Sequence, residues 1–145
     1  MNQLNLVGAV ALLQREGYTL VAAVADAVYT DRARGVAPLL ALLDAGVSLA
    51  GGVAADRVVG RAAAYLYCLL GVSEIYALVV SDAALEVLEA GGVAVAYETR
   101  VPAIRNRAGD GFCPMESATR GLAPLALGEA LAVIRETKAR LTLGN

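Results

Sequence analysis

Histidine is missing from this chain altogether, and that absence removes both a common zinc ligand and the most frequent general base. Cysteine occurs only as Cys68 and Cys113. Two thiols are too few for an all-cysteine zinc site. With no basic or small-residue leader in Met1-Asn2-Gln3-Leu4-Asn5, they read as free thiols of a cytoplasmic protein. Tryptophan is absent and aromatics are only 5%, so the 58% apolar share comes from alanine, valine and leucine, whose size suits close packing of helices on a sheet. The only lysine is Lys138, and the net charge of -2 provides no general field for a polyanion. Arg100, Arg105, Arg107 and Arg120 lie near one another in sequence. They read as a solvated or anion-bound face, and no nucleic-acid partner is expected. Apolar runs such as Leu6 to Leu13, Tyr18 to Val24 and Ile75 to Val80 stop well short of a bilayer's thickness, so no membrane partner is expected either.

A length of 145 residues fits one domain. Leu4, Val7, Val10 and Ala11 recur at helical spacing before Gly17, predicting a first helix over 4–15. Tyr18 to Val24 and Ala27 to Thr30 predict a hairpin. Pro38 in a first turn and Gly46 as a stop bound a second helix over 36–45. A third strand is expected over 47–53, bent at Gly51-Gly52, after which Asp56 to Gly60 turns the chain into a third helix from Arg61 to Leu70. Ile75 to Val80 has the unbroken apolar character of a central parallel strand. Ser81 caps a helix over 83–90, and Val93 to Glu98 makes a fifth strand. Strands alternating with helices in this way require mostly parallel pairing and a sheet covered on both faces. The segment 99–121 reads as irregular, longer than an ordinary loop, and a last helix is expected over 124–138.

Three groups of residues carry chemistry. Asp56, Gly60, Arg61 and Ala62 stand at the start of the third helix, where free amides, a glycine that admits close approach and a guanidinium suit an anion. Cys113-Pro114-Met115-Glu116 resembles a helix start that would activate a thiol, although no histidine exists to serve as its base. Carboxylates at Asp56, Glu98, Asp110 and Glu116 could exchange protons, but their spacing matches no metal-binding pattern. Tyr65 and Tyr67, two apart on a helix, do not face each other as a stacking pair.

The order of elements, the string Asp56-Arg57-Val58-Val59-Gly60-Arg61-Ala62-Ala63-Ala64 and the later Cys113-Pro114-Met115-Glu116 together resemble the DUF1893 family over nearly the whole chain. The resemblance implies a cytidine deaminase-like fold: three α/β/α layers with a mixed five-stranded sheet and an additional C-terminal helix. A working zinc deaminase would carry a His or Cys with a catalytic Glu at the start of the second helix and a Pro-Cys-x-x-Cys pair at the third. Here those places hold Arg34-Gly35-Val36 and Gly60-Arg61-Ala62-Ala63, so neither zinc nor deamination is expected, and fold likeness does not transfer the reaction. The resemblance further implies that two helix N-termini converge on a pocket, bringing Arg34, Gly35 and Arg61 together with Asp56 nearby.

The expected function is binding of a phosphate-containing small molecule, such as a nucleotide or nucleotide-sugar, with Arg105, Arg107, Cys113 and Glu116 as secondary candidates and no cofactor required. The alternatives are an enzyme of unassigned chemistry using Cys113 or Asp56, and a structural homo-oligomer. A homodimer is expected in any case, from the apolar content and the exposed sheet edges.

Overall fold

A computed structural model describes residues 4–106, 108, 109, 111 and 113–143. The chain runs α1 (Leu6–Glu16), β1 (Leu20–Val24), β2 (Ala27–Asp31), α2 (Ala37–Asp44), β3 (Val53–Val59), α3 (Arg61–Leu70), β4 (Glu74–Ser81), α4 (Asp82–Ala90), β5 (Ala94–Val101), α5 (Pro114–Thr119) and α6 (Leu127–Leu143). The strands form one sheet in the order β2-β1-β3-β4-β5. The two pairings made by β1 are antiparallel, and those between β3 and β4 and between β4 and β5 are parallel. This is the three-layer α/β/α architecture with a mixed five-stranded sheet and an additional helix at the C-terminal end.

The layers follow from which side chains each element buries. Ala9 and Leu13 of α1 pack with Val21 and Ala55 on one face of the sheet. On the other face Leu39 and Leu40 of α2, the α3 residues, and Ala84, Val87 and Leu88 of α4 share a core with Leu20, Ala22, Ala54 and Ile75. Every residue of α3 from Arg61 to Tyr67 is buried. Its alanines let the sheet, α2, α4 and α6 approach on all sides, with Ala130 and Ile134 of α6 closing the outer side.

The local signals act as sequence chemistry predicts at most helix ends. Asn5 accepts from the Gly8 amide at 2.9 Å, and Ser81 accepts from the Ala84 amide at 3.1 Å, each supplying an orphan donor with a partner. The hairpin is present, its turn made through Ala25 at φ 50°.

The third strand departs from expectation. Residues 47–52 are a turn, with Leu49 N–H donating to Leu70 O at 2.7 Å and Gly52 N–H to Leu49 O at 2.7 Å, and the strand begins at Val53, where the reading of the sequence ended it. The stretch Asp56 to Val59, expected as a turn, is the second half of β3. Asp56 and Arg57 disguised it by breaking the apolar run. Both find partners outside the sheet: Asp56 bonds to Tyr67 of α3, while Arg57 donates to Tyr18 O at 2.6 Å and Leu13 O at 3.3 Å, closing the C-terminal end of α1. The segment 99–121 is also more ordered than expected, since β5 runs on to Val101 and α5 occupies Pro114–Thr119. The last helix starts and ends later than the predicted 124–138.

Gly52 is where the turn meets β1: a Cβ there would lie 2.4 Å from Ala23 O and 3.0 Å from Leu49 O, both backbone atoms that cannot swing away. Gly52→Ala is expected to cost about 2 kcal/mol or more of stability, read as a lowered urea midpoint with an unchanged slope.

Candidate functional site

The cleft and the carboxylate plug

A cleft of about 340 Å³ opens between the β1–β3 part of the sheet and the start of α2, lined by Thr19, Leu20, Arg34, Gly35, Leu39 and Asp56 among others. Its wall at residues 31–35 is held by local bonds: Thr19 Oγ1 lies 2.7 Å from Ala33 O and 3.0 Å from Asp31 O, and the Ala33 amide donates to Asp31 Oδ1 at 2.8 Å. Gly35 then turns through φ 74°, a left-handed conformation that favours glycine, and delivers the chain to α2. Val36 at the N-cap makes no side-chain cap bond, so the amides of the first turn face the cleft's end of the helix without an intramolecular side-chain acceptor. Arg34 is exposed at the rim, and no described residue pairs with its guanidinium.

Asp56 is the polar group at the cleft's base. Its Oδ2 accepts from the Tyr67 hydroxyl at 2.5 Å, and its Oδ1 accepts from the Val58 amide at 3.3 Å. One edge of the carboxyl reaches the cleft, but the protein around it removes most of its water, and this burial pushes its pKa up to about 6 against the opposing effect of the hydrogen bonds. Burial likewise drives the Tyr67 phenol well above its ordinary value, reinforced by the charge of Asp56, so the phenol remains the donor of the pair.

The start of α3 is organised differently. Gly60 admits a close neighbour, as its sequence position suggested, but that neighbour is Glu116: a Cβ on Gly60 would meet Glu116 Oε1 at 3.1 Å and Ile104 Cγ1 at 3.2 Å. Glu116 Oε1 accepts from the Arg61 amide at 2.6 Å, and Oε2 accepts from the Ile104 amide at 2.7 Å. Ser81 Oγ lies 3.4 Å from Oε1. The buried carboxylate of Glu116 thus takes the place that an external anion would have at this helix terminus.

Arg61 does not join Arg34. Its guanidinium is buried, donating from Nε to Thr119 O at 3.1 Å, from Nη1 to Ala83 O at 3.0 Å and Glu86 Oε1 at 3.1 Å, and from Nη2 to Leu122 O at 2.6 Å, with its carbon 5.4 Å from the centre of the Tyr65 ring. The expected convergence of Arg34 and Arg61 on one pocket is therefore not what the fold builds: Arg34, Gly35 and Asp56 share the cleft, whereas Gly60, Arg61 and Ala62 belong to the buried junction with α5. Thr19, the pairing of Tyr67 with Asp56 and the plugging role of Glu116 are not signalled by motif or composition; the eleven-residue step from Asp56 to Tyr67, across a strand end, a turn and two helical turns, is the one signal available for that pair.

The remaining candidates are scattered. Cys113 is the half-buried N-cap of α5, with no side-chain cap bond, and its amide donates to Ile104 O at 2.9 Å. Arg100 pairs with Asp82 at 2.6 Å, Arg105 and Arg120 are exposed, and Glu98 is exposed on β5. Arg107 and Asp110 lie outside the described residues. Tyr65 and Tyr67 are both fully buried, which leaves neither ring a surface for stacking on a base.

The family and the metal question

A family model described as TM1506, Domain of unknown function (DUF1893), matches residues 8–136. The chain belongs to the DUF1893 family. It is similar to a crystal structure of a DUF1893 family protein, TM1506, from Thermotoga maritima, with a TM-score of 0.83 at 22% identity over 90% of this chain and 88% of that one. No curated protein matches the sequence.

Among the described residues no three His, Cys, Asp or Glu side chains gather as a metal site. The starts of α2 and α3 hold Arg34-Gly35-Val36 and Gly60-Arg61-Ala62-Ala63, none of which offers an imidazole or thiolate, so a deaminase zinc site is not built there. No helix among the described residues is long and apolar enough to cross a membrane.

Two tests follow from these two environments. Between pH 3.8 and about 6 folded Asp56 keeps a proton that the unfolded chain has released, so its contribution to stability falls as pH rises through that window and is fully lost above it. Asp56→Asn should therefore gain on the wild type from pH 4 to 6, by up to roughly 3 kcal/mol, and hold a constant lead at higher pH in paired urea titrations. Arg61→Ala removes four hydrogen bonds at once, to the carbonyls of Ala83, Thr119 and Leu122 and to Glu86, and leaves a cavity in the junction with α5, so it should destabilise the fold by about 3 kcal/mol or more, measured as the loss in thermal midpoint converted with the unfolding enthalpy.

Proposed function

We propose that the domain binds a small phosphate-bearing molecule of nucleotide or nucleotide-sugar size in the cleft between β1, β3 and α2, and that it does so without zinc or deamination. The observation that carries this reading is Arg34: an exposed guanidinium with no partner among the described residues, next to the uncapped start of α2, at the rim of a cleft whose base is Asp56. A phosphoryl group takes charge-assisted bonds from Arg34 and dipolar stabilisation from the α2 amides. The apolar wall of Leu20, Pro38, Leu39 and Val58 suits the face of a ring, and Asp56 offers an acceptor to its amino or hydroxyl donors. With each charged hydrogen bond contributing about 1.5–3 kcal/mol, two or three such bonds support roughly micromolar binding after the cost of association.

A second reading has its own observation. A carboxyl that titrates near pH 6 in an open cleft is suited to proton transfer, so Asp56 could serve as the acid or base of an enzyme whose chemistry is unassigned. The homo-oligomer without a ligand is the reading left if the cleft is empty in use.

Native mass spectrometry of the protein purified from cells, followed by titration with nucleoside mono- and diphosphates and nucleotide-sugars, separates the three. The expected result is a saturable, non-covalent ligand that Arg34→Ala weakens about tenfold or more, with the fold's melting temperature unchanged. Turnover of a bound compound that Asp56→Asn abolishes establishes the enzyme. A bare chain mass, with no binding across the panel, rejects both ligand readings.

A further inference from the structure

Strand β5 ends the sheet, and six of its eight residues, Ala94 and Ala96 to Arg100, are exposed. An edge of this length ordinarily carries a bulge, a proline, a lysine or a covering element to prevent pairing with another chain. This one has no proline or lysine, it keeps a constant register with β4 from end to end, and no described strand lies against its outer side.

The pattern of its free backbone groups is set by the inner pairing. Ala94 N–H donates to Ser73 O at 3.0 Å, so the even-numbered residues of β5 turn their amides and carbonyls toward β4. Tyr97, Thr99 and Val101 turn theirs outward. In an antiparallel pair the residues that exchange hydrogen bonds recur every second position, and those between them bring their side chains closest. A two-fold axis at Thr99 satisfies both conditions at once. Thr99 exchanges bonds with Thr99 of the second copy, and Tyr97 with Val101. Glu98 then falls opposite Arg100, twice by symmetry.

The alternatives are worse on charge alone. Centring the axis on Glu98 sets two carboxylates against each other, centring it on Arg100 sets two guanidinium groups together, and centring it on Tyr97 faces Glu98 with Ala96. Glu98 has no ion pair within its own chain among the described residues, and Arg100, which engages Asp82 through Nε and has a side-chain hydrogen bond with Tyr97, stays half exposed. Tyr97, 41% exposed, gains a β-branched neighbour in Val101 across the axis.

We propose that β5 is the contact between two copies of this chain, paired antiparallel about Thr99 with Glu98 of each facing Arg100 of the other, so that two five-stranded sheets join into one. The cleft lies by β1, β3 and α2, away from this edge, so the dimer and the ligand stand or fall separately.

Light scattering and sedimentation of the full chain over a range of concentrations test this. The wild type is expected to be dimeric, with Glu98→Arg and Arg100→Glu each raising the dissociation constant about tenfold or more and the double exchange restoring it. Thr99→Pro removes only an outward N–H, so it should give a monomer whose circular dichroism and melting temperature stay close to the wild type's. A wild type that is monomeric throughout, or a dimer indifferent to Glu98→Arg and Thr99→Pro, overturns the proposal. A dimer weakened by both single reversals and not rescued by the exchange overturns the register.

Discussion

The Glu116 carboxylate sits where four parts of the chain meet. It receives the first amide of α3, the amide of Ile104 and a weak contact from the Ser81 hydroxyl that caps α4, while its own backbone lies in α5. A buried carboxylate of this kind is costly unless its oxygens are engaged, and here one takes the orphan first amide of α3 while the other takes the amide of Ile104. The complement is Arg61, the first residue of α3, whose Nε and Nη2 donate to carbonyls at the end of α5 and the loop that follows it, while Nη1 reaches α4. A positive and a negative group thus cross between α3 and the α5 region without pairing with each other. Each satisfies the other element's backbone, which fixes α5 against α3 in both position and direction.

This arrangement bears on the relation between fold and chemistry in the family. The start of α3, where the resemblance to deaminases implies a pocket, is closed by the protein's own carboxylate and lies in the core. An open cleft lies instead on the α2 side, where Arg34 and Asp56 are among its polar groups.

Much of the architecture was legible in the sequence because helix stops, caps and the apolar β4 run act locally. Gly17, Ser81 and Ile75 to Val80 each mark their element without help from distant residues. The strand β3 was misread because its two polar residues are neutralised by partners that sequence spacing does not reveal, Tyr67 on α3 and the end carbonyls of α1. The candidate site was half legible for the same reason. Arg34, Gly35 and Asp56 were singled out and do line one cleft, whereas Arg61 resembled them in type and context while its guanidinium turned inward to acceptors some sixty positions away. A charged residue at a helix start looks the same on paper whether it greets a ligand or a later segment of its own chain.

That distance has a consequence for the order of assembly. Helix α3 lies at the centre of the domain, yet the amide of its first residue and the Nε and Nη2 groups of that residue's guanidinium find their partners in residues 116–122, and only Nη1 is met earlier, by Ala83 O and Glu86. A chain emerging from the ribosome can form the β3-α3-β4 unit and then α4 from neighbouring segments, but until the α5 region follows, the Arg61 guanidinium has acceptors on Nη1 alone and the first amide of α3 lacks its carboxylate. The last quarter of the sequence is thus a lock on the middle, and folding completes from the outside inward. A nascent chain halted before Glu116 has every strand of the sheet and still lacks the groups that let its central helix remain buried.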